Sequence, residues 1–184
     1  MLFQAKASSL VNHLYLADAR NALFAKQGRA SANDWAAATR AAFQSYLDLV
    51  AHFHTQLASG KWDHFMDKPV LGYTTWRDPP ANNLNQLKLA EIAVPESAAL
   101  GVAVEGTATG VTGEATLPRF DAFNRQRSWI DVFNQGKTPF AFTAVASAQW
   151  ILLSGTKGSV GEDRRIAVSI HWDKVPSGIA TDSV

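Results

Sequence analysis

Apolar positions recur at three- and four-residue spacing through the first third of the chain and at two-residue spacing through much of the second half. The pattern therefore predicts helices followed by strands. Phe3, Ala7, Leu10, Leu14, Ala17, Asn21 and Phe24 line one face of a helix expected over residues 3–27. Val11, Tyr15, Ala22 and Ala25 add a second apolar face, and Gly28 is placed to stop the helix. A second helix opens with Asn33 or Ser31 as N-cap. It carries Phe43, Tyr46, Leu47, Val50, Phe53 and Leu57 on one broad face and ends at Gly60. A helix that is apolar nearly all round is a buried one. The first helix is thus expected to sit in a larger bundle with further helices, the alternative being that the strand-rich half covers its second face.

Residues 59–99 show little periodicity and contain Pro69, Pro79, Pro80 and Pro95, but Trp62, Phe65, Tyr73 and Trp76 argue for a packed segment rather than a disordered one. One strand is expected at Leu89–Val94. Beyond it, strands are expected at Gly101–Gly106, at Trp129–Phe133 (closed by Asn134-Gln135-Gly136), at Phe140–Ser147, at Trp150–Leu153 and at Arg164–Trp172. Gly155, Gly158 and Gly161 mark the turn between the last two. The fold class that follows is α+β in two modules. A partial helical bundle with an aromatic-rich connector occupies residues 1–86, and an antiparallel β-sandwich occupies 87–184.

Composition narrows the function. Seventeen basic and sixteen acidic residues give a net charge of +1, with no block of one sign. Nucleic acid and anionic membrane surfaces both need clustered Lys and Arg, so neither is expected as a partner. No apolar run approaches the ~20 residues needed to span a bilayer, and the Met1–Lys6 lead does not read as a signal peptide. Cysteine is absent, which removes disulfides and thiolate chemistry. Charged residues make up 18% of the chain, below the usual figure of about 25%, so part of the surface is expected to be covered.

No catalytic, cofactor-binding or metal-ligating set is expected within the 184 residues. His52 and His54 lie two apart on a helix and point ~200° apart. His64 and Asp67 are three apart, but outside a regular helix. There is no G-x-S-x-G nucleophile elbow, and Gly106–Gly113 lacks the Lys of a phosphate-cradling loop. Asp63 and Asp67, like Glu162 and Asp163, read as neighbours on one surface rather than as partners across a cleft. The densest aromatic and polar interleaving is at Trp62, His64, Tyr73 and Trp76. These residues either plug a domain junction or face a sugar, and area burial favours the junction. Trp62 and Trp76 are then expected to be buried anchors.

In this same segment the run GKWDHFMDKPVLGYTTWRDPP, Gly60 to Pro80, resembles the end of the helical domain in glycoside hydrolase family 115, the xylan α-glucuronidases. Other pieces are similar in order: Lys26–Asn33 to the family's inter-helix turn, and Gly101–Gly106 to the opening of its C-terminal β domain. Leu117-Pro118, Phe120-Asp121 and Ile130–Gly136 are similar to its later strands, and Arg165–Trp172 with Pro176-Ser177-Gly178 to its final strand region. Phe65, Lys68, Pro69 and His171 depart from the family pattern. The resemblance implies an inverting glycosidase acting on glucuronoxylan or aldouronic acids, with acid and base in a preceding barrel domain. The chain is then expected to be a non-catalytic C-terminal piece, truncated soon after its last turn, which braces the barrel and mediates homodimerisation. A parent enzyme of this kind is periplasmic or secreted. The alternative is an independent carbohydrate-binding or interaction module.

Overall fold

The computed structural model describes residues 2–184. Its fold class is α+β: two long helices precede six short strands, all paired antiparallel. Helix α1 spans Leu2–Gln27 and α2 spans Ala32–Thr55. The strands are β1 (Leu100–Val104), β2 (Ser128–Asn134), β3 (Phe140–Thr143), β4 (Ile151–Leu153), β5 (Lys157–Val160) and β6 (Asp163–Ile170). They form a four-stranded sheet in the order β1-β2-β6-β4 and a two-stranded sheet β3-β5.

The chain divides into two compact units. The first comprises the described residues up to Leu23 together with Ala32–Glu91, and the second Phe24–Ser31 with Ile92–Val184. The divide thus falls at 91/92 rather than at the expected 86/87. The inter-helix turn also belongs to the β unit.

In the first unit the expected face of α1 is buried at Ala7, Leu14, Ala17 and Asn21. Leu14 joins Ala42 and Phe43 of α2 and Leu71 of the irregular segment in one apolar cluster. Of the second apolar face, Tyr15 and Ala22 are exposed and Val11 is half-buried, and Leu16 and Leu23 beside them are exposed too. Helix α2 stops at Thr55, short of Gly60. A 3₁₀ turn over Leu57–Gly60 follows, with Ala58, Ser59 and Gly60 at positive φ.

Residues 61–99 are irregular as expected, apart from a 3₁₀ turn at Leu84–Gln86. The strand expected at Leu89–Val94 does not form. The hydrogen bonds a strand would spend on a ladder go instead to Asn21, whose Oδ1 accepts from the Ala90 N–H at 2.9 Å and whose Nδ2 donates to the Ala90 carbonyl at 2.8 Å. The same Nδ2 donates to the Ala32 carbonyl at 2.8 Å, so this buried amide ties three segments together.

In the second unit, β2 is the central ribbon. Trp129, Asp131 and Phe133 point to one face of the four-stranded sheet, and Ile130 and Val132 to the other. Val132 packs with Ile166 and with Val160, Phe140 and Phe142 of the small sheet. Strand β5 occupies residues read from the sequence as a turn. Lys157-Gly158-Ser159-Val160 has no apolar alternation, but Gly158 leaves room for the Arg164 side chain and the Phe142 ring, both within 3.3 Å of where a Cβ would stand. Strands β3 and β6 are shorter than expected, ending at Thr143 and Ile170.

Candidate functional site

The aromatic segment of the first unit is anchored at one end. Leu71 is fully buried in the helical cluster. Tyr15 donates its hydroxyl proton to the Val70 carbonyl at 2.7 Å, and Asn82 Oδ1 accepts from the Val70 and Leu71 N–H groups at 2.7 and 3.3 Å. Gly72, at φ 87°, then turns the chain outward. A residue with a Cβ is doubly disfavoured there, because the Gln86 side chain also fills the space.

Past that turn the loop is braced by its own polar groups. The Tyr73 hydroxyl lies 3.0 Å from both the Pro69 carbonyl and Asp78 Oδ1. Lys68 Nζ lies 3.1 Å from the same Asp78 oxygen. The bonds from Lys68 and then Tyr73 hold the Asp78 carboxyl below the usual range. At the apex Trp76 is 87% exposed, with the Arg77 guanidinium 5.4 Å from its ring centroid. Trp62 is 38% exposed, packs edge-on against Phe65 and has Lys61 Nζ 5.1 Å from its ring. The expectation that Trp62 and Trp76 are buried anchors is therefore corrected. The buried anchor of this segment is Leu71, and the turn at Gly72 carries the later aromatics away from the cluster.

His64 sits at positive φ (60°) in the turn between Trp62 and Asp67. Its Nδ1 lies 2.7 Å from Asp67 Oδ2, and its Nε2 is 3.7 Å from Asp63 Oδ2. The bond to Asp67, then the charges of Asp63 and Asp67, raise its pKa above the ordinary imidazole value. The fold adds a partner that spacing did not show. His54, at the end of α2, places its Nδ1 3.7 Å from Asp67 Oδ1, and its ring centroid lies 6.4 Å from that of His64.

One carboxylate thus stands between two imidazoles. His54 Nε2 accepts the Met66 N–H at 3.2 Å, which puts the neutral ring's proton on Nδ1 and turns it toward Asp67. A ring protonated at Nδ1 offers no lone pair there, and no group of three or more His, Asp or Glu among the described residues is placed to hold a metal ion. Asp63 and Asp67 flank one turn and share His64 rather than facing each other across a cleft.

A second polar constellation lies in the β unit and is invisible in local sequence. Helix α1 ends in a left-handed cap: Gly28 N–H bonds to the Ala25 carbonyl at 3.1 Å and Arg29 N–H to the Phe24 carbonyl at 3.0 Å, with Gly28 at φ 73°. The cap aims Arg29 between the Phe24 and Phe133 rings, 4.2 and 4.4 Å from their centroids. Its Nε donates to Gln27 Oε1 at 2.6 Å, its Nη1 to Asp163 at 2.8 Å and its Nη2 to Asp131 at 2.9 Å. Arg165 grips Asp131 from the neighbouring strand with two bonds of 2.7 and 3.0 Å, and lies over Trp129.

Ser31, expected as a helix cap, gives its hydroxyl proton to Asp163 at 2.6 Å. The only trace of this cluster in the sequence is the alternation of Trp129, Asp131 and Phe133, which marks an acidic residue on a sheet face. Arg29 reads there as an ordinary turn residue.

The surface also carries two open grooves. One, of about 520 Å³, is lined by Ala5, Lys6, Ser9, Leu10, Ser45 and Leu49. The other, of about 430 Å³, runs along β1 beside Gln27, Gly28 and Gln135. Neither wall contains a carboxylate. No helix among the described residues is long and apolar enough to cross a membrane. The chain matches no protein-family model, and comparison with curated proteins gives no match.

Proposed function

We propose that this chain is a non-catalytic C-terminal part of a xylan α-1,2-(4-O-methyl)glucuronidase of glycoside hydrolase family 115, bracing a catalytic barrel and mediating dimerisation. What supports the reading is that the resembling runs coincide with distinct structural features. Lys26–Asn33 spans the capped turn that carries Arg29, and Gly60–Pro80 is the braced aromatic segment. Gly101–Gly106 holds most of β1, Ile130–Gly136 holds the rest of β2 from Ile130, and Arg165–Trp172 runs along β6.

In this reading the exposed Tyr15, Leu16 and Leu23 side of α1 meets further bundle helices, and the two sheets form a small sandwich around Val132, Val160 and Ile166. Hydrolysis belongs to the barrel, where an acid protonates the leaving oxygen and a base activates water. The parent enzyme acts on glucuronoxylan or aldouronic acids outside the cytoplasm.

The test is to add the purified chain to a family barrel lacking these modules. A raised melting temperature of the barrel is expected, and no rise counts against the assignment. Release of glucuronic acid from aldouronic acids by the chain alone would overturn its non-catalytic role.

A further inference from the structure

We propose that the outer face of α1 is a docking surface for an acidic amphipathic helix from a partner polypeptide. The starting observation is a repeat. Leu2, Ser9, Leu16 and Leu23 recur at seven-residue intervals, and Ala5, Asn12 and Ala19 each follow three residues after one of them. All of these side chains are exposed. Steps that alternate between three and four residues make the apolar seam of a coiled coil. This one runs for about 32 Å along the helix.

The period selects a helix as the occupant, because a strand or a loop does not repeat every seven residues. The buried side of α1, through Leu14, already packs with Ala42 and Phe43 of α2, so the seam takes no part in that contact. A seven-residue repeat falls behind a straight helix by about 20° per heptad, so the partner wraps left-handed. Leu2, Leu16 and Leu23 supply the knobs. Ala5, Ser9 and Ala19 are short enough to let a second backbone come close.

Charge selects which helix. Lys6, His13 and Arg20, all exposed, stand four residues after Leu2, Ser9 and Leu16 and so form one flank of the seam. This flank lies toward α2: Lys6 lines the larger groove with Ser45 and Leu49, and the Arg20 guanidinium carbon is 4.4 Å from the Trp35 ring centroid. The other flank carries Ser8, Tyr15 and Ala22. Asp18 is the only acid in α1 and is half-buried, and Asp48, beside Leu49 in α2, accepts the Gln44 amide at 2.7 Å. Flanking charges set partner choice in paired helices. A second copy laid antiparallel would put the basic row against itself, and a parallel copy would put it against Ser8, Tyr15 and Ala22. A helix with Glu or Asp at its flanking positions offers each cation a carboxylate. The inference rests on the reading above only in taking this side of α1 to meet a further helix, and not on the family.

The experiment uses two synthetic four-heptad peptides with Leu at both apolar positions and either Glu or Lys at both flanking positions. Each is labelled with fluorescein and titrated with the full chain at pH 7, anisotropy giving the dissociation constant in low and in high salt. At low salt the Glu peptide should bind about tenfold more tightly than the Lys peptide, and the margin should narrow in high salt. Lys6→Glu combined with His13→Glu should reverse the preference. Leu16→Ser should weaken the Glu peptide about tenfold. Phe123→Ser, which removes an exposed apolar side chain from the β unit, should bind like the parent chain.

No binding of either peptide, equal affinity for both at low salt, or binding untouched by Leu16→Ser would overturn the proposal. So would a sedimenting dimer of the chain alone that Leu16→Ser dissolves, because a second copy would then be the occupant. A melting temperature for Leu16→Ser equal to that of the parent shows that lost binding is not lost folding. Barrel stabilisation is read separately: peptide binding without it counts against the family reading alone, and stabilisation without a peptide preference counts against this proposal alone.

Discussion

Arg29 and Asp131 meet at 2.9 Å with side chains only 3% and 9% exposed, although 102 residues separate them in sequence. The pair is part of a chain of charges in which Arg29 also holds Asp163 and Arg165 also holds Asp131. Each of the three Arg29 guanidinium nitrogens bonds a named acceptor, and the Phe24 and Phe133 ring centroids lie 4.2 and 4.4 Å from its central carbon. A guanidinium suits such a slot because it is planar, permanently charged and weakly hydrated.

Arg29→Ala should therefore destabilise the chain by about 3–5 kcal/mol, the range for breaking a buried pair and leaving its partner behind. Arg29→Lys should recover only part of the loss, because an ammonium cannot bond Gln27, Asp131 and Asp163 in one plane. Urea unfolding midpoints measure both. A loss under 1 kcal/mol for the Ala variant would show that the cluster contributes no net stability.

Asp131 also predicts an acid limb of the stability profile. Burial by itself would raise its pKa, but the bonds from Arg165 and Arg29 outweigh burial and hold it below the usual carboxylate range. A depressed native pKa contributes stability above the unfolded value of about 3.9, and that contribution is lost as pH falls through the folded value. Melting temperatures between pH 6 and pH 2 should drop for the parent chain. They should drop less steeply for Asp131→Asn, which starts lower at neutral pH.

His64 gives the opposite sign. Its pKa is raised by Asp67 and Asp63, so the contribution of the His64–Asp67 contact is complete below the unfolded value of about 6.5. It is lost as pH rises through the higher folded value. Titration of the His64 ring protons by NMR should show a midpoint above that of a free imidazole. Asp67→Asn should bring it down, and an unchanged midpoint would remove Asp67 as the cause.

Leu71 and Trp76 should respond to truncation in inverse proportion to their size. Leu71→Ala opens the helical cluster and should cost about 2–5 kcal/mol. Trp76→Ala removes a larger ring but little packing, and should stay within about 0.5 kcal/mol of the parent. Paired unfolding curves decide the matter. A loss of several kcal/mol at Trp76 would mean that the indole is buried in solution.

Helices α1 and α2 were legible because their information is local. A 3.6-residue apolar period, a Gly placed for a left-handed cap and a run free of proline act within a few turns of one another. Strands β1, β2, β4 and β6 were legible for the same reason. Strand β5 was not, since Lys157-Gly158-Ser159-Val160 becomes a strand through pairing with β3 and through the space Gly158 yields to Arg164 and Phe142. Leu89–Val94 has the composition of a strand, but the buried Asn21 amide captures the backbone of Ala90.

Candidate chemistry divides along the same line. The sequence singled out Trp62, His64, Tyr73 and Trp76 by density alone, and it could not say which of them face water. That depends on Leu71 entering the helical cluster and on Gly72 turning the chain. His54 joins Asp67 because α2 ends where it does. Arg29 finds Asp131 and Asp163 because a Schellman cap points it at a sheet face whose two acidic residues lie 102 and 134 residues downstream. Periodicity and turn chemistry act over a few residues and specify elements. Burial and charge pairing act through space, so they take their values only once the chain has folded.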